Sequence, residues 1–170
     1  VDMHVVTSDE YAVRNLMLAV ERCHLEVEAV VAGPYASGLS VLVDDEAEMG
    51  VAVVDFGAGT TSVGVFAGGA LVHSDAVAVG GNHITMDIAR GFTTTLTHAE
   101  RLKTLFGSTM ASASDDRETI AVESVDDEER NAVHHVPKSH LVRVIKPRVE
   151  EILEFVRDRL TSAGLGGVMN

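Results

Sequence analysis

The feature that most restricts this chain is a set of three β-rich runs placed almost end to end: residues 51–56, 61–67 and 70–79, joined by Gly57-Ala58-Gly59-Thr60 and by Gly68-Gly69. Connections this short leave no room for a crossover, so each run turns back beside the one before it and the three form a β-meander. Glycine pairs at the joints supply turn conformations that a Cβ would hinder.

Either side of the meander the pattern changes. Residues 1–7, VDMHVVT, read as a strand; Thr7-Ser8-Asp9-Glu10 is a capping-box pattern, and Val13, Leu16, Met17, Val20 and His24 follow at helical spacing. Residues 27–32 read as a second strand, Pro34 suits the first turn of a helix running through 36–43, and Asp44-Asp45-Glu46-Ala47-Glu48 reads as an acidic loop. This predicts a β-α-β-α layer with parallel strands over 1–49. Beyond the meander, one helix opens after Gly80-Gly81-Asn82. Another opens at the capping-box pattern Thr97-His98-Ala99-Glu100 and stops at Gly107. Residues 108–117 are small and polar, hence a loop. Strands are expected over 119–123 and 132–136 around the acidic turn 126–129. A last long helix presents Leu141, Ile145, Val149, Ile152, Val156 and Leu160 on one face, with Pro147 either kinking or restarting it.

Charge and cysteine usage exclude several functions. Thirteen Lys and Arg stand against 26 Asp and Glu, and a formal charge of -13 repels a polyanion, so nucleic acid is not an expected partner. Cys23 is the sole cysteine and cannot form an internal disulfide, which makes a cytosolic chain the default; it reads as a packed or surface thiol. No apolar run approaches the roughly 18 residues of a spanning helix. Both ends read as cuts through a longer chain. His134, His135 and His140 are close enough to be considered as metal ligands, but no cysteine or nearby carboxylate completes a zinc set, and an exposed strand end explains them. Neither G-x-S-x-G nor HExxH is present.

Asp55-Phe56-Gly57-Ala58-Gly59-Thr60-Thr61 carries the chemistry. Glycines in such a turn let backbone N–H groups approach an anion, threonine hydroxyls add donors, and a carboxylate at the strand end suits Mg²⁺ held through water. A plain tight hairpin uses the same residues.

The joint patterns GGNHITMDIARGF (80–92) and THAERLKTLFG (97–107), with Gly33-Pro34-Tyr35-Ala36-Ser37-Gly38 and Lys146-Pro147-Arg148-Val149-Glu150-Glu151-Ile152, resemble the FtsA family of actin-like bacterial cell-division proteins. The resemblance covers essentially the whole chain. It implies an α/β fold of the actin-like ATPase (ribonuclease H-like) type, present in part, with a smaller α+β insert subdomain. It further implies that residues 1–49 end a first subdomain, 50–92 begin a second, 93–161 form the insert and 162–170 a truncated connection.

By the same resemblance, ATP with Mg²⁺ is expected on Asp55, Gly57, Gly59, Thr60, Thr61, Gly80, Gly81 and Asn82, with the metal on Asp55 through water and a helix N-terminus facing the phosphates. Glu100 and Lys103 are expected at the ribose and adenine, although a cap on Thr97 competes for the Glu100 carboxylate and is the favoured role for it. Arg143, Lys146 and Arg148 are expected to meet the acidic tail of FtsZ. Other implied partners are further copies of the protein and other division proteins. The implied location is the cytoplasmic face of the membrane at the division site, reached through a C-terminal helix absent from this sequence. The family's first phosphate hairpin and adenosine motif are also absent, Phe56 stands where Ile is more frequent, and Asn82 where Asp is. A small-molecule kinase of the same superfamily is the alternative, and at most slow ATP turnover is expected.

Overall fold

The computed structural model describes residues 3–125 and 133–169. In chain order the elements are α1 (Glu10–Glu21), α2 (Gly33–Val41), α3 (Asp44–Met49), β1 (Val51–Phe56), β2 (Thr61–Ala67), β3 (Ala70–Val77), α4 (Gly81–Gly91), α5 (Leu96–Phe106), β4 (Thr119–Glu123), β5 (Val133–Pro137) and α6 (Lys138–Ser162). A short 3-10 turn follows over Gly166–Met169. They form two compact units. One takes in the chain to Asp55 together with Ser62–Asp75, and the other Phe56–Thr61 with Ala76–Gly167.

In the first unit the meander forms as its turns require, with strand order β1-β2-β3. Gly68 and Gly69 both have positive φ, 58° and 73°, the backbone that a two-residue hairpin of the mirror-image type demands. Their amides donate to the carbonyls of Glu48 and Ala47, which seals the C-terminal end of α3. Helix α3 occupies the stretch expected to be an acidic loop. Asp44, Asp45 and Glu46 fill its first turn, where negative charge suits the helix dipole, and Glu46 accepts the Val43 amide at 3.2 Å. A Cβ on Gly38 of α2 would stand 2.1 Å from the Phe66 ring, so the helix reaches β2 only because that residue is glycine. Tyr35 stacks on the same ring at 6.5 Å.

Helix α1 is capped by Asp9, whose carboxylate accepts the Ala12 amide at 3.1 Å, two residues later than the sequence pattern suggested. Residues 3–7 and 27–32 form no ladder, so the expected parallel strands are not seen. An apolar run makes a strand only when a neighbour takes its backbone groups, and none of the described strands pairs with these runs.

The second unit has a core of its own. Ile84 and Ile88 of α4, Ala99 and Leu102 of α5, Ile120 and Val122 of β4, and Leu141 and Ile145 of α6 pack into one cluster. Burying a side chain of that size stabilises by about 1.5–3 kcal/mol. Helix α4 thus shares a core with the segment after it, whereas the sequence reading grouped it with the meander. Strands β4 and β5 pair antiparallel with Thr119 opposite Pro137 and Val122 opposite His134. The expected acidic turn 126–129 and Ala132 lie outside the described residues.

Helix α6 passes through Pro147 without interruption and buries Leu141, Ile145, Ile152, Val156 and Leu160 along one stripe. Pro147 has no N–H to give the Arg143 carbonyl four residues earlier, and both residues are exposed, so water can take that acceptor. The start of α6 is tied to the 112–118 turn. Asp115, only 2% exposed, accepts the Ser112 amide and faces Lys138 Nζ at 3.5 Å, while Lys138 also donates to Glu118 at 3.1 Å.

Candidate functional site

The turn after β1 divides its glycines by task. Gly57 donates its amide to the Thr60 carbonyl at 2.9 Å, and a Cβ there would come within 2.7 Å of that same oxygen. Gly57 is therefore glycine for the turn's own sake. Gly59 has nothing within 4 Å of where a Cβ would stand, and its φ lies outside the left-handed region. No contact within the chain asks for glycine at that position. The amides of Ala58, Gly59 and Thr60 have no hydrogen-bond partner among the described residues, and all three residues are exposed. Successive free N–H groups in a turn are the kind of donor from which a backbone anion site can be built.

Thr60 keeps its hydroxyl in solvent, but Thr61 is fully buried and donates its hydroxyl to the Val79 carbonyl at 2.8 Å. Its structural task is to hold the turn to the end of β3. Asp55 is exposed at the end of β1, and its Oδ2 receives the Ser37 hydroxyl at 2.6 Å. Ser37 was quoted only for family likeness, and no sequence spacing signals its pairing with a residue 18 positions away.

The N-terminus of α4 does not face outward as an open anion site. Gly81 N donates to the Gly57 carbonyl at 2.9 Å, Asn82 N to the Ala58 carbonyl at 2.8 Å, Gly80 N to His83 Nδ1 at 3.1 Å and His83 N to the Gly80 carbonyl at 3.0 Å. The amides expected to meet phosphate instead clamp the turn from behind, turning its carbonyls inward. Gly80 must lack a side chain, because a Cβ would stand 2.5 Å from the Gly57 oxygen.

Beside this clamp, α4 and α5 build a polar cluster. Helix α5 is capped by Thr95, whose Oγ1 accepts the His98 amide at 3.1 Å, so Glu100 takes no part in a cap on Thr97. Its Oε2 instead receives Lys103 Nζ at 2.7 Å and the Thr85 hydroxyl at 2.5 Å. Lys103 Nζ also donates to Thr85 Oγ1 at 2.8 Å and to the Gly81 carbonyl at 3.1 Å. The Lys103 hydrogen bond, followed by that from Thr85, holds the Glu100 carboxyl below the usual carboxylate range. Thr85 is the member the sequence reading missed. Its signal was its place four residues after Gly81 on the inner face of α4.

The three candidate partner-binding cations differ. Arg143 is exposed and has no ion-pair partner among the described residues. Lys146 makes a loose pair with Glu150 at 3.7 Å and is half exposed. Arg148 is occupied: its guanidinium makes two hydrogen bonds to Asp87 of α4, at 2.6 and 3.2 Å, and another to Glu151. These contacts, Asp87 first, push its pKa further up. His134, His135 and His140 are exposed, and no three metal-ligating side chains converge among the described residues. Among those residues no helix is long and apolar enough to cross a membrane.

Comparison with known proteins decides the family. A family model described as cell division protein FtsA matches residues 52–166. The chain belongs to the FtsA family. It is 48% identical over 169 residues to cell division protein FtsA of Rhizobium meliloti, covering 99% of this chain and 38% of that protein. The FtsA of Escherichia coli K12 is 36% identical over 158 residues, which cover 93% of this chain and 37% of the relative. The FtsA-family segment seen here thus spans well under half the length of these relatives. Among solved structures, MreB5 of Spiroplasma citri bound to ADP superposes with a TM-score of 0.76 at 19% identity, over 95% of this chain and 51% of its own. The PilM-PilN type IV pilus biogenesis complex gives 0.64 at 20% identity, over 91% and 37%. These likenesses establish an actin-like fold for this FtsA segment.

Proposed function

We propose that this segment supplies one phosphate-binding turn of the ATP cleft in an actin-like cell-division protein, together with a surface that receives a partner's acidic tail. The observation that carries the reading is the run of free, exposed amides at Ala58, Gly59 and Thr60, where no contact within the chain asks for glycine at position 59. A phosphate drawn onto those amides would be held by backbone N–H groups and the Thr60 hydroxyl. Asp55 would take Mg²⁺ through water, with Ser37 fixing one carboxylate oxygen and leaving the other to the hydrated ion. The metal, when bound, neutralises phosphate charge. MreB5, which shares the fold, was solved with ADP, which supports a nucleotide as the ligand.

In this reading Gly80, Gly81 and Asn82 act through the turn they clamp, and the nucleotide serves as a conformational ligand for self-assembly. Arg143 and Lys146 are the cations offered to the FtsZ tail, on the solvent side of α6. Attachment at the division site follows from the family and from no helix described here.

The test is ATP titration of the full-length protein carrying Gly59→Val. Open space around a Cβ at 59 predicts unchanged unfolding stability with ATP affinity reduced by about tenfold or more, since a side chain there occupies the phosphate's approach. Undiminished affinity would make the turn a hairpin and nothing more.

A further inference from the structure

Gly80 and His83 close a reciprocal pair of hydrogen bonds at the start of α4. The His83 amide donates to the Gly80 carbonyl at 3.0 Å, and the Gly80 amide donates to His83 Nδ1 at 3.1 Å. A glutamate or glutamine ordinarily fills this place, the third residue of a helix reaching back to its cap. A glutamine oxygen there accepts at any pH, but a histidine accepts only through a ring nitrogen that carries no hydrogen. The Gly80 amide is a fixed donor, so His83 is here a neutral imidazole with its hydrogen on Nε2. A proton on Nδ1 would set two N–H groups against each other and place a positive charge at the positive end of the α4 dipole. The residue is half-buried, so its ring exchanges protons with solvent while the Gly80 amide depends on it.

We propose that His83 is a positioning residue for the phosphate turn, effective only as the neutral imidazole, and that its protonation weakens nucleotide binding. The proposal rests on the nucleotide reading for the ligand and adds a regulation of that site by pH. The chain of contacts is short. His83 fixes Gly80, and the next two amides, Gly81 and Asn82, donate to the Gly57 and Ala58 carbonyls at 2.9 and 2.8 Å. The amides of Ala58, Gly59 and Thr60, free among the described residues, belong to that same turn. Once protonated, the ring turns away from Gly80, the Gly80 amide loses its acceptor, and the 80–82 strap no longer holds the turn in one shape. Neighbouring charges do not replace that bond. The 56–61 and 76–80 stretches that adjoin His83 carry no titratable side chain. On α5, Glu100 and Lys103 are paired at 2.7 Å, and Asp87, one turn further along α4, is held by Arg148 of α6. His83 touches no ligand and acts through the turn.

Two measurements on the full-length protein test this. The first needs no nucleotide: nitrogen NMR follows the His83 ring and the Gly80 amide from about pH 8 to about pH 5, the span in which histidines change charge. At the alkaline end Nδ1 should show the shift of an unprotonated acceptor and Nε2 that of a protonated nitrogen, and the Gly80 amide should move as the ring takes up its proton. A ring hydrogen on Nδ1, or a Gly80 amide that ignores the titration, overturns the proposal. The second compares how much ATP affinity is lost across that span by the wild type and by His83→Gln, whose amide oxygen keeps the acceptor without titrating. Protonation of ATP itself is common to both. Wild type should lose about threefold or more beyond His83→Gln, the worth of one hydrogen bond. Parallel losses overturn the positioning role. A smaller loss in the wild type means that the imidazolium draws phosphate directly, which overturns it as well. His83→Phe, which keeps a ring but no acceptor, should bind weakly throughout without the extra loss in acid. A wild type that binds no ATP, yet shows the coupled titration of His83 and Gly80, sinks the nucleotide reading while supporting the hold of His83 on Gly80.

Discussion

The backbone of Gly80 lies against the carbonyl of Gly57 so closely that a single methyl group would stand 2.5 Å from the oxygen, with the Ala58 oxygen at 2.8 Å. Backbone atoms cannot swing aside as a side-chain tip can. Gly80→Ala should therefore cost about 1–3 kcal/mol, as overpacking does, measured by denaturant unfolding. Gly59→Ala, into open space, should change stability by well under about 1 kcal/mol. Equal effects would mean that α4 does not clamp the turn.

Arg148 predicts a loss of stability. It joins α6 to Asp87 of α4 through two hydrogen bonds, at 2.6 and 3.2 Å, with both side chains less than a third exposed. Arg148→Ala leaves Asp87 without its partner and should destabilise by about 1.5–3 kcal/mol, the range for hydrogen bonds to charged groups. Asp87→Asn with Arg148→Ala together should cost less than the sum of the two singles, which a double-mutant cycle measures.

The partner surface separates from that structural role. Arg143→Glu with Lys146→Glu should leave thermal stability nearly unchanged, since both residues are exposed, while weakening binding of an FtsZ tail peptide by about tenfold or more through charge reversal. Binding should also fall with salt, because exposed charges are screened beyond about 8–10 Å. Arg157→Glu, about three to four turns further along α6, is the control. Equal affinities by fluorescence titration across these variants would return the face to solvent.

Acid should act on Glu100. Its carboxyl titrates below the ordinary carboxylate range in the folded chain, chiefly because Lys103 donates to it and next because Thr85 does. The folded state thus binds this proton less readily than the unfolded chain. The stabilisation is complete above the ordinary glutamate pKa of the unfolded chain and is lost as pH falls through the lowered folded value. Urea unfolding of the wild type and Glu100→Gln should differ at neutral pH and converge in acid. A gap that widens in acid would contradict the assigned pairing.

Local signals in the sequence were sufficient wherever neighbours along the chain decide the structure. The meander, the Gly68-Gly69 turn and the stripe of α6 from Leu141 to Leu160 are of that kind. The expected strands failed over residues 3–7 and 27–32 because a ladder is made by a partner, which apolar composition does not specify. Helix α3 was missed because consecutive acidic residues read as loop, although the same charges favour a first turn once Glu46 reaches back to the Val43 amide. At the site, Gly57, Gly59 and Asp55 were legible as a motif. What could not be read was which amides remain free. That depends on Gly81 and Asn82 donating across 24 residues to Gly57 and Ala58. Nor could Thr85 be linked to a glutamate 15 positions away.

The seal that Gly68 and Gly69 place on α3 bears on how this protein can be labelled. A two-residue hairpin tip is ordinarily a permissive place for an inserted fluorophore or epitope. Here the tip's amides are spent on the Glu48 and Ala47 carbonyls, so an insertion would open a helix end as well as lengthen a loop. The stretch around Met110, 80% exposed and bonded among the described residues only to Ser108 of its own turn, is the better place to put a tag.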